Sequence, residues 1–205
     1  MFYAADQHHG LSHDPFNAII APRPIGWIGT LNAEGIPNLG PFSYFQALAR
    51  YPHLVAFSSD GIKHSAQNAK VHGEFTVSFV NERLAEAMNI SSAHLDDGAN
   101  EFLHAGLEIG RSRVIKAPFV QSSPAALECK LVSFESIRDL AGQETGYNLV
   151  IGQVMATHIN DDFIIDGRFD LNLARPIARC GYRDYATVER LWELQRPDMP
   201  LSQAK

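Results

Sequence analysis

The chain has 205 residues, an ordinary hydrophobic share of 45% and a formal net charge of −6. A chain of this length buries enough surface to fold without disulfide or metal staples, so we expect one domain over residues 1–205. The acidic balance argues against a nucleic-acid-binding protein, which usually carries a basic face. No apolar run approaches the ~20 residues that span a bilayer, and the N-terminus lacks the regions of a secretory signal. We therefore expect no membrane contact and a cytoplasmic location.

Segments rich in β-branched and aromatic residues predict strands along the chain. In chain order these are Pro24–Leu31, Ile36–Phe42, His53–Ser58, Glu74–Val80, Ala126–Phe134, Asn148–His158 and Phe163–Asp166. The first two flank "NAEG", residues 32–35, where Gly35 is available for a positive φ angle. This pattern predicts a hairpin.

The segment around that hairpin is unusually rich in proline and glycine. Its prolines lack the backbone donor of a central strand and predict strand ends: Pro22, Pro24, Pro37 and Pro41. Its glycines allow a close approach to the backbone: Gly26, Gly29 and Gly40. Together they predict a flat ligand lying against strand ends.

Helices are fewer than strands. Capping residues and glycine stops predict Ser65–Gly73, Asn81–Asn89 and Asn100–Gly106, and apolar spacing predicts Ala186–Leu194. Because the helices fall between strand pairs, the order favours a mainly β fold with helical insertions. We expect a mostly antiparallel barrel rather than a βαβ sheet.

The stretch "FSSDGIKHSAQNAK", residues 57–70, is a candidate phosphate site. A strand is predicted to end at Ser58 and a helix to begin at Ser65. The connecting loop offers Ser59, Lys63 and His64. A helix N-terminus presents unpaired N–H groups and a partial positive charge, which suit phosphate. The alternative is an ordinary strand–loop–helix junction with a serine cap.

Cysteine and histidine spacings indicate no metal centre. Cys129 and Cys180 are isolated and predict buried free thiols in a reducing compartment. His8, His9 and His13 have a spacing that can bind Zn or Ni, but a closed site needs a fourth ligand. We favour a polar tail and predict no metal site.

An ordered set of motifs resembles the flavin reductase-like family. The motifs are "PRPIGWIGTLNAEGIPNLGPFSYF", "SSDGIKHSAQNAKVHGEFTVSFV", "LAEAMNISSAHLDDGANEFLHAGL", "SPAALECKL", "LVIGQV" and "DGRFDLNLARPIARCGYRDYA". The resemblance covers about residues 17–194 and leaves 1–16 and 195–205 as terminal extensions. It implies the FMN-binding split barrel, an antiparallel Greek-key barrel that forms a homodimer.

The resemblance implies hydride transfer from NADH or NADPH to flavin, with reduced flavin possible as a supply for a monooxygenase partner. The flavin carries this chemistry, so no catalytic protein residue is expected. A rival is a non-catalytic, flavoredoxin-like electron-transfer protein that binds FMN and is reduced by a partner. Two further rivals are an oxidase related to the pyridoxamine-phosphate enzymes, which should need extra basic residues, and a reductase of an external acceptor such as ferric chelate.

The resemblance also implies which residues bind FMN. The ring would lie along Asn38, Leu39, Gly40, Pro41, Phe42 and Ser43, with Arg23, Pro24, Ile25 and Gly26 beside the ring or the ribityl chain. The phosphate would lie at Ser58, Ser59, Lys63, His64 and Ser65, with Asn68 nearby. The loop at residues 89–98 would line the pocket or the dimer interface. Candidates for the anionic groups of the dinucleotide are Arg23, Arg179 and Arg183.

Overall fold

A computed structural model describes residues 1–93, 95, 96 and 98–195. Most of the predicted C-terminal extension, and His94 and Asp97 of the loop at residues 89–98, lie outside the described residues. The strands are β1 Arg23–Pro24, β2 Gly26–Leu31, β3 Pro37–Phe42, β4 Phe45–Ala49, β5 Leu54–Asp60, β6 Glu74–Ser78, β7 Ile109–Gly110, β8 Phe119–Val120, β9 Ala125–Arg138, β10 Glu144–Ile159, β11 Ile164–Ile165, β12 Arg168–Phe169, β13 Ile177–Arg179 and β14 Tyr185–Thr187. The helices are α1 Phe16–Ile19, α2 His64–His72, α3 Ala85–Ile90, α4 Glu101–His104 and α5 Leu171–Ala174, with 3-10 turns at Glu82–Leu84 and Asp161–Phe163.

The main sheet is an antiparallel half-barrel. Its strand order is β3-β2-β6-β9-β10-β5-β4, and every described pairing in it is antiparallel. The long pair β9 and β10 forms its centre, and register shifts along this pair let the sheet curl. A second sheet, ordered β1-β13-β14, joins the start of the fold to its C-terminal part. The predicted mainly β, antiparallel split-barrel fold class is confirmed.

Strand β2 is buried on both faces. Ile28 packs into one apolar cluster with Phe57 and Phe75, whereas Trp27 packs into a second with Phe102. Successive side chains of a strand point to opposite faces, so neighbouring residues serve different cores. The predicted strand Pro24–Leu31 is interrupted at Ile25, because β1 pairs with β13 while β2 pairs with β3 and β6.

The predicted helix over Ala186–Leu194 is wrong. Residues of β14 instead pair with β13, and the Val188 N–H donates to the Pro176 carbonyl. Of the residues that would form its apolar face, Leu191 and Trp192 are exposed and Val188 is half-buried, so tertiary pairing outweighs the helical pattern. The strand predicted at Phe163–Asp166 is shortened to β11, and strand β4 was not predicted.

Neighbouring residues of the protein approach the backbone closely at Gly26, Gly29 and Gly40. A Cβ at Gly26 would lie 2.6 Å from Cδ2 of Phe45, and one at Gly29 would clash with the Pro118 carbonyl oxygen. A Cβ at Gly40 would lie 3.0 Å from Oγ of Ser65. These contacts come from packed neighbours, so the glycines are not by themselves a ligand signal.

Both cysteines are free thiols, but they differ in burial. Cys129 is a buried free thiol, and burial, helped by the neighbouring Glu128 charge, raises its pKa to about 12. Cys180 is also free but only half-buried, which corrects the expectation of two buried thiols.

Among the described helices, none has the length and apolar character needed to cross a bilayer.

Candidate functional site

A cleft of about 250 Å³ lies between strand β3 and the start of helix α2; we call it the first cleft. It brings together a set of residues predicted from the sequence: Asn38, Leu39, Gly40, Pro41, Phe42, Lys63, His64 and Ser65. The loop at residues 89–98, expected at the pocket or the dimer interface, contributes Ser91, Ser92, Ala93 and Leu95, and two residues outside the predicted set complete the cleft: Ile62 and Glu101. Strand β3, the start of α2 and the turn after α3 thus line one cavity.

Strand β3 borders this cleft as an edge strand. The Leu39 N–H donates to Oε2 of Glu101 at 3.1 Å and not to β2, so Leu39 marks the outward-facing set of backbone groups. Pro37 and Pro41 are two residues away on either side and belong to the same set. Their missing donors cost no ladder hydrogen bond, as expected for proline on an edge. The outward edge therefore offers carbonyl acceptors and no unpaired N–H at these three positions.

The start of α2 is locked to the sheet by a buried polar network. Ser65 Oγ donates to Asn38 Oδ1 at 2.9 Å, and Thr30 Oγ1 donates to the same oxygen at 3.1 Å. Asn68 Nδ2 completes the network by donating to Thr30 Oγ1 at 3.1 Å. The helix begins at His64, so Ser65 lies inside the first turn and is not the N-cap.

Helix α2 begins at the edge of the first cleft. Its N-cap is Lys63, and no side chain hydrogen-bonds there as a cap. The first N–H groups of a helix have no partner within the helix. Lys63 and His64 are both exposed at the mouth of the first cleft. This end of the cleft is therefore suited to an anionic group.

The opposite wall is held by the buried tryptophan of β2. Trp27 Nε1 donates to Ser91 Oγ at 2.9 Å, and Ser91 Oγ donates to the Met88 carbonyl at 2.8 Å. These bonds fix the turn after α3, so that Ser92 reaches the cavity wall. Glu101 is not identifiable from local pattern, since only tertiary packing brings it to β3.

A second cavity of about 300 Å³ adjoins the first, because Pro41 and Ser92 line both. Of the predicted residues it contains Arg23, Ile25 and Ser43. Arg23 is buried and donates to the carbonyls of Asn17 and Cys180 at 2.6 and 3.1 Å. The C-terminal segment adds Arg179, a predicted candidate for the anionic groups of the dinucleotide, together with Cys180, Tyr182 and Tyr185.

The remaining predicted residues line neither cavity. Gly26, Ser58, Ser59 and Asn68 belong to packed strand or helix positions, and Ser59 and Asn68 are buried. Pro24 borders a separate apolar cavity of about 220 Å³. Arg183 is exposed outside both cavities. A part for any of them in holding a flavin stays a prediction.

The fold and the cleft together define a class of protein: an antiparallel half-barrel with an open cleft between an edge strand and the start of a helix. The model of the flavin reductase like domain matches residues 20–169. The chain belongs to this family.

Individual proteins are similar to this chain in sequence or in structure. An uncharacterized protein of Halalkalibacterium halodurans is 33% identical over 183 residues, which cover 87% of each chain. Nitrilotriacetate monooxygenase component B of Bacillus cereus has a similar structure, with a TM-score of 0.86 and 27% identity over 95% of this chain and 98% of that one. A Shewanella frigidimarina protein described as having a split barrel domain follows, with a TM-score of 0.79 and 26% identity over 88% and 89%.

Proposed function

We propose that this protein binds FMN in the first cleft and transfers a hydride from NADH or NADPH to flavin. The observation that carries the proposal is the cleft itself, in which the flat edge of β3 faces the start of α2. Family membership supports an oxidoreductase that uses flavin. We further propose that it acts in the cytoplasm.

The residues present suit FMN. A flavin ring is flat and rimmed by donors and acceptors, so it fits a slot with few convergent polar groups. The outward carbonyls of β3 can accept from the ring imide N–H, and Pro41 and Phe42 supply apolar surface. Lys63, His64 and Ser65 would hold the phosphate at the α2 end.

Glu101 sets the direction in which FMN would lie. Its buried carboxylate accepts from the Leu39 N–H and lines the first cleft. A negative charge here disfavours a phosphate dianion at the same place. The phosphate therefore belongs at the Lys63 end and the ring along Leu39 to Ser43, beside the second cavity.

When bound, FMN supplies the hydride-accepting chemistry, and no protein acid or base is required. The protein has to orient the nicotinamide and flavin rings and to exclude competing contacts. The edge strand supports one side of the ring, and the turn fixed by Trp27 and Ser91 covers the cleft near Ser92. Holding two reactants in one orientation is the protein's main lever on such a transfer.

The visible spectrum tests this proposal. Purified protein would be mixed with FMN, freed of excess ligand, and treated anaerobically with NADH and then NADPH. Bound flavin that bleaches with one nucleotide supports the reductase and identifies its donor. Bound flavin that stays oxidised favours the electron-transfer protein, and failure to retain flavin overturns the proposal.

A partner role follows from the same chemistry. The similar Bacillus cereus protein is a component of a monooxygenase. We propose that this chain supplies reduced flavin to a separate oxygenase and does so as a homodimer. Edge strands such as β4, with Leu48 51% exposed, favour cover by a second copy. Sedimentation analysis of the FMN-loaded protein should give twice the chain mass; a monomer would contradict the dimer.

A further inference from the structure

In the part of the chain that the structure describes, the second cavity has positive charge and no carboxylate in its lining. Among the described residues that line it, Arg23 and Arg179 are the cations and there is no Asp or Glu. No described carboxylate forms an ion pair with either arginine. This contrasts with Arg175, whose guanidinium is paired with both Glu82 and Glu189. In a chain of net charge −6, a cavity whose described charged residues are both cations is a local departure from the overall charge.

The two arginines are held in place by neutral groups. Arg23 is only 9% exposed; its terminal nitrogens donate to backbone carbonyls, and its Nε has no partner. Arg179 donates to the Tyr182 carbonyl at 2.6 Å, and its guanidinium lies over the Tyr185 ring at 4.6 Å. Carbonyls and rings orient a guanidinium but do not neutralise it. A buried charge without an opposite charge is costly, so an anion bound here is favoured.

The other lining residues favour a flat, partly apolar body. Tyr44 lies beside Arg23, whose guanidinium is 5.7 Å from the ring centroid. Ile25 and Met88 add buried apolar side chains to the wall. Aromatic rings stack on flat partners, and arginine pairs with carboxylates in a planar, two-bond geometry. A cavity of about 300 Å³ has room for a single small ring compound.

From these observations we infer that the second cavity binds a small aromatic carboxylate, with its carboxylate at Arg23 and Arg179 and its ring among the tyrosines. The role of such a ligand beside a flavin rests on the proposed function, because the shared wall at Pro41 and Ser92 would place it next to FMN in the first cleft. Its binding, however, needs only residues of this chain.

Calorimetric titration with benzoate tests the inference, on protein with and without FMN. Benzamide has the same ring without the charge, and we expect it to bind at least about tenfold more weakly, because hydrogen bonds to charged groups are the stronger ones. Raising the salt concentration should weaken benzoate and leave benzamide unchanged. Equal affinity for the two compounds, or no benzoate binding, overturns the inference.

Variants locate the site. Arg179→Gln should lower benzoate affinity about tenfold or more and leave benzamide unchanged. Arg50→Gln is the matched control, because Arg50 also lies over a tyrosine ring, at 5.3 Å from the Tyr51 centroid, but outside the cavity. Arg23→Lys keeps the charge where Arg23→Gln could fail to fold, and it should reduce affinity less than Arg179→Gln. Unchanged benzoate affinity in Arg179→Gln overturns the inference. Benzoate binding by protein that does not retain FMN would leave it standing while refuting the proposed function.

Discussion

Replacing Glu128 by glutamine should destabilise the fold more than any comparable change in its polar framework. Glu128 lies on the central strand β9 and is fully buried. Its Oε1 accepts from the Arg113 N–H at 2.8 Å and lies 2.5 Å from His158 Nε2. Its Oε2 accepts from the N–H groups of Val114 and Ile115 at 2.7 and 2.9 Å. One carboxylate thus ties the loop before β8 to the middle of the sheet.

The expected cost follows from these bonds. The substituted glutamine could keep its amide oxygen toward Val114 and Ile115, but its NH₂ group would then face the Arg113 N–H, donor against donor. Losing a hydrogen bond to a charged group costs about 1.5–3 kcal/mol, and stranding a buried donor costs about 1–3 kcal/mol. We expect a total of about 3 kcal/mol, which in a chain of this size lowers Tm by roughly 6–12 °C.

Urea and thermal unfolding would measure the loss, with Glu74→Gln as the control. Glu74 supports the same loop, but a single oxygen, Oε1, accepts from both the Lys116 and Ala117 N–H groups, at 2.7 and 3.0 Å. Glutamine retains that oxygen, so its cost should stay below about 1 kcal/mol. Similar small losses in both variants would refute the reasoning that ionised Glu128 holds the loop.

Three other outcomes are expected. Lys63→Ala should weaken FMN binding about three- to tenfold in a fluorescence titration and leave the affinity for riboflavin, which lacks the phosphate, unchanged. The control Lys70→Ala, at the other end of α2, should change neither affinity. Equal loss of affinity for both ligands would make Lys63 structural. In native protein at pH 8, iodoacetamide should modify Cys180 well before Cys129, whose pKa is raised to about 12 by burial; mass spectrometry would reveal the opposite order. Burial alone would raise the pKa of Glu128, but its hydrogen bonds outweigh burial and lower it. Its stabilisation is therefore complete above the ordinary glutamate pKa and is lost as the pH falls through the lowered one. The acid loss measured by urea unfolding should be shallower in Glu128→Gln, and parallel curves would contradict this.

The strand content and much of the candidate cleft could be predicted from the sequence, because both rest on local pattern. Alternation and β-branched residues identified β5, β6 and β9, and the stop at Gly73 is real, since Gly73 adopts φ 68°. The cleft residues of β3 and α2 were found through the family motifs and are brought together by the fold. Their contact with FMN remains a prediction.

What could not be predicted depends on tertiary partners. The apolar residues after Ala186 do have helical spacing, but Ala186 and Thr187 form backbone hydrogen-bonded pairs with β13 instead of a helix. Glu101 reaches the first cleft because α4 packs against β3, and this contact leaves no periodic pattern in the sequence. Gly26 signals a close approach, yet the approaching group is Phe45.

The charges of the two cavities give one consistent arrangement of ligands. The first cleft has a cation at the Lys63 end and the buried carboxylate of Glu101 along β3, so an anionic tail is favoured only at the helix start. The second cavity has Arg23 and Arg179 without a described acid, so a small anion is favoured there. Because the cavities meet at Pro41, which presents no N–H, a flavin ring and an aromatic anion could share that wall without competing for a backbone donor. The same polarity would hold the phosphate of FMN at the α2 end of the first cleft and the carboxylate of a second ligand at the arginines of the second cavity, so the two anions would occupy separate cavities.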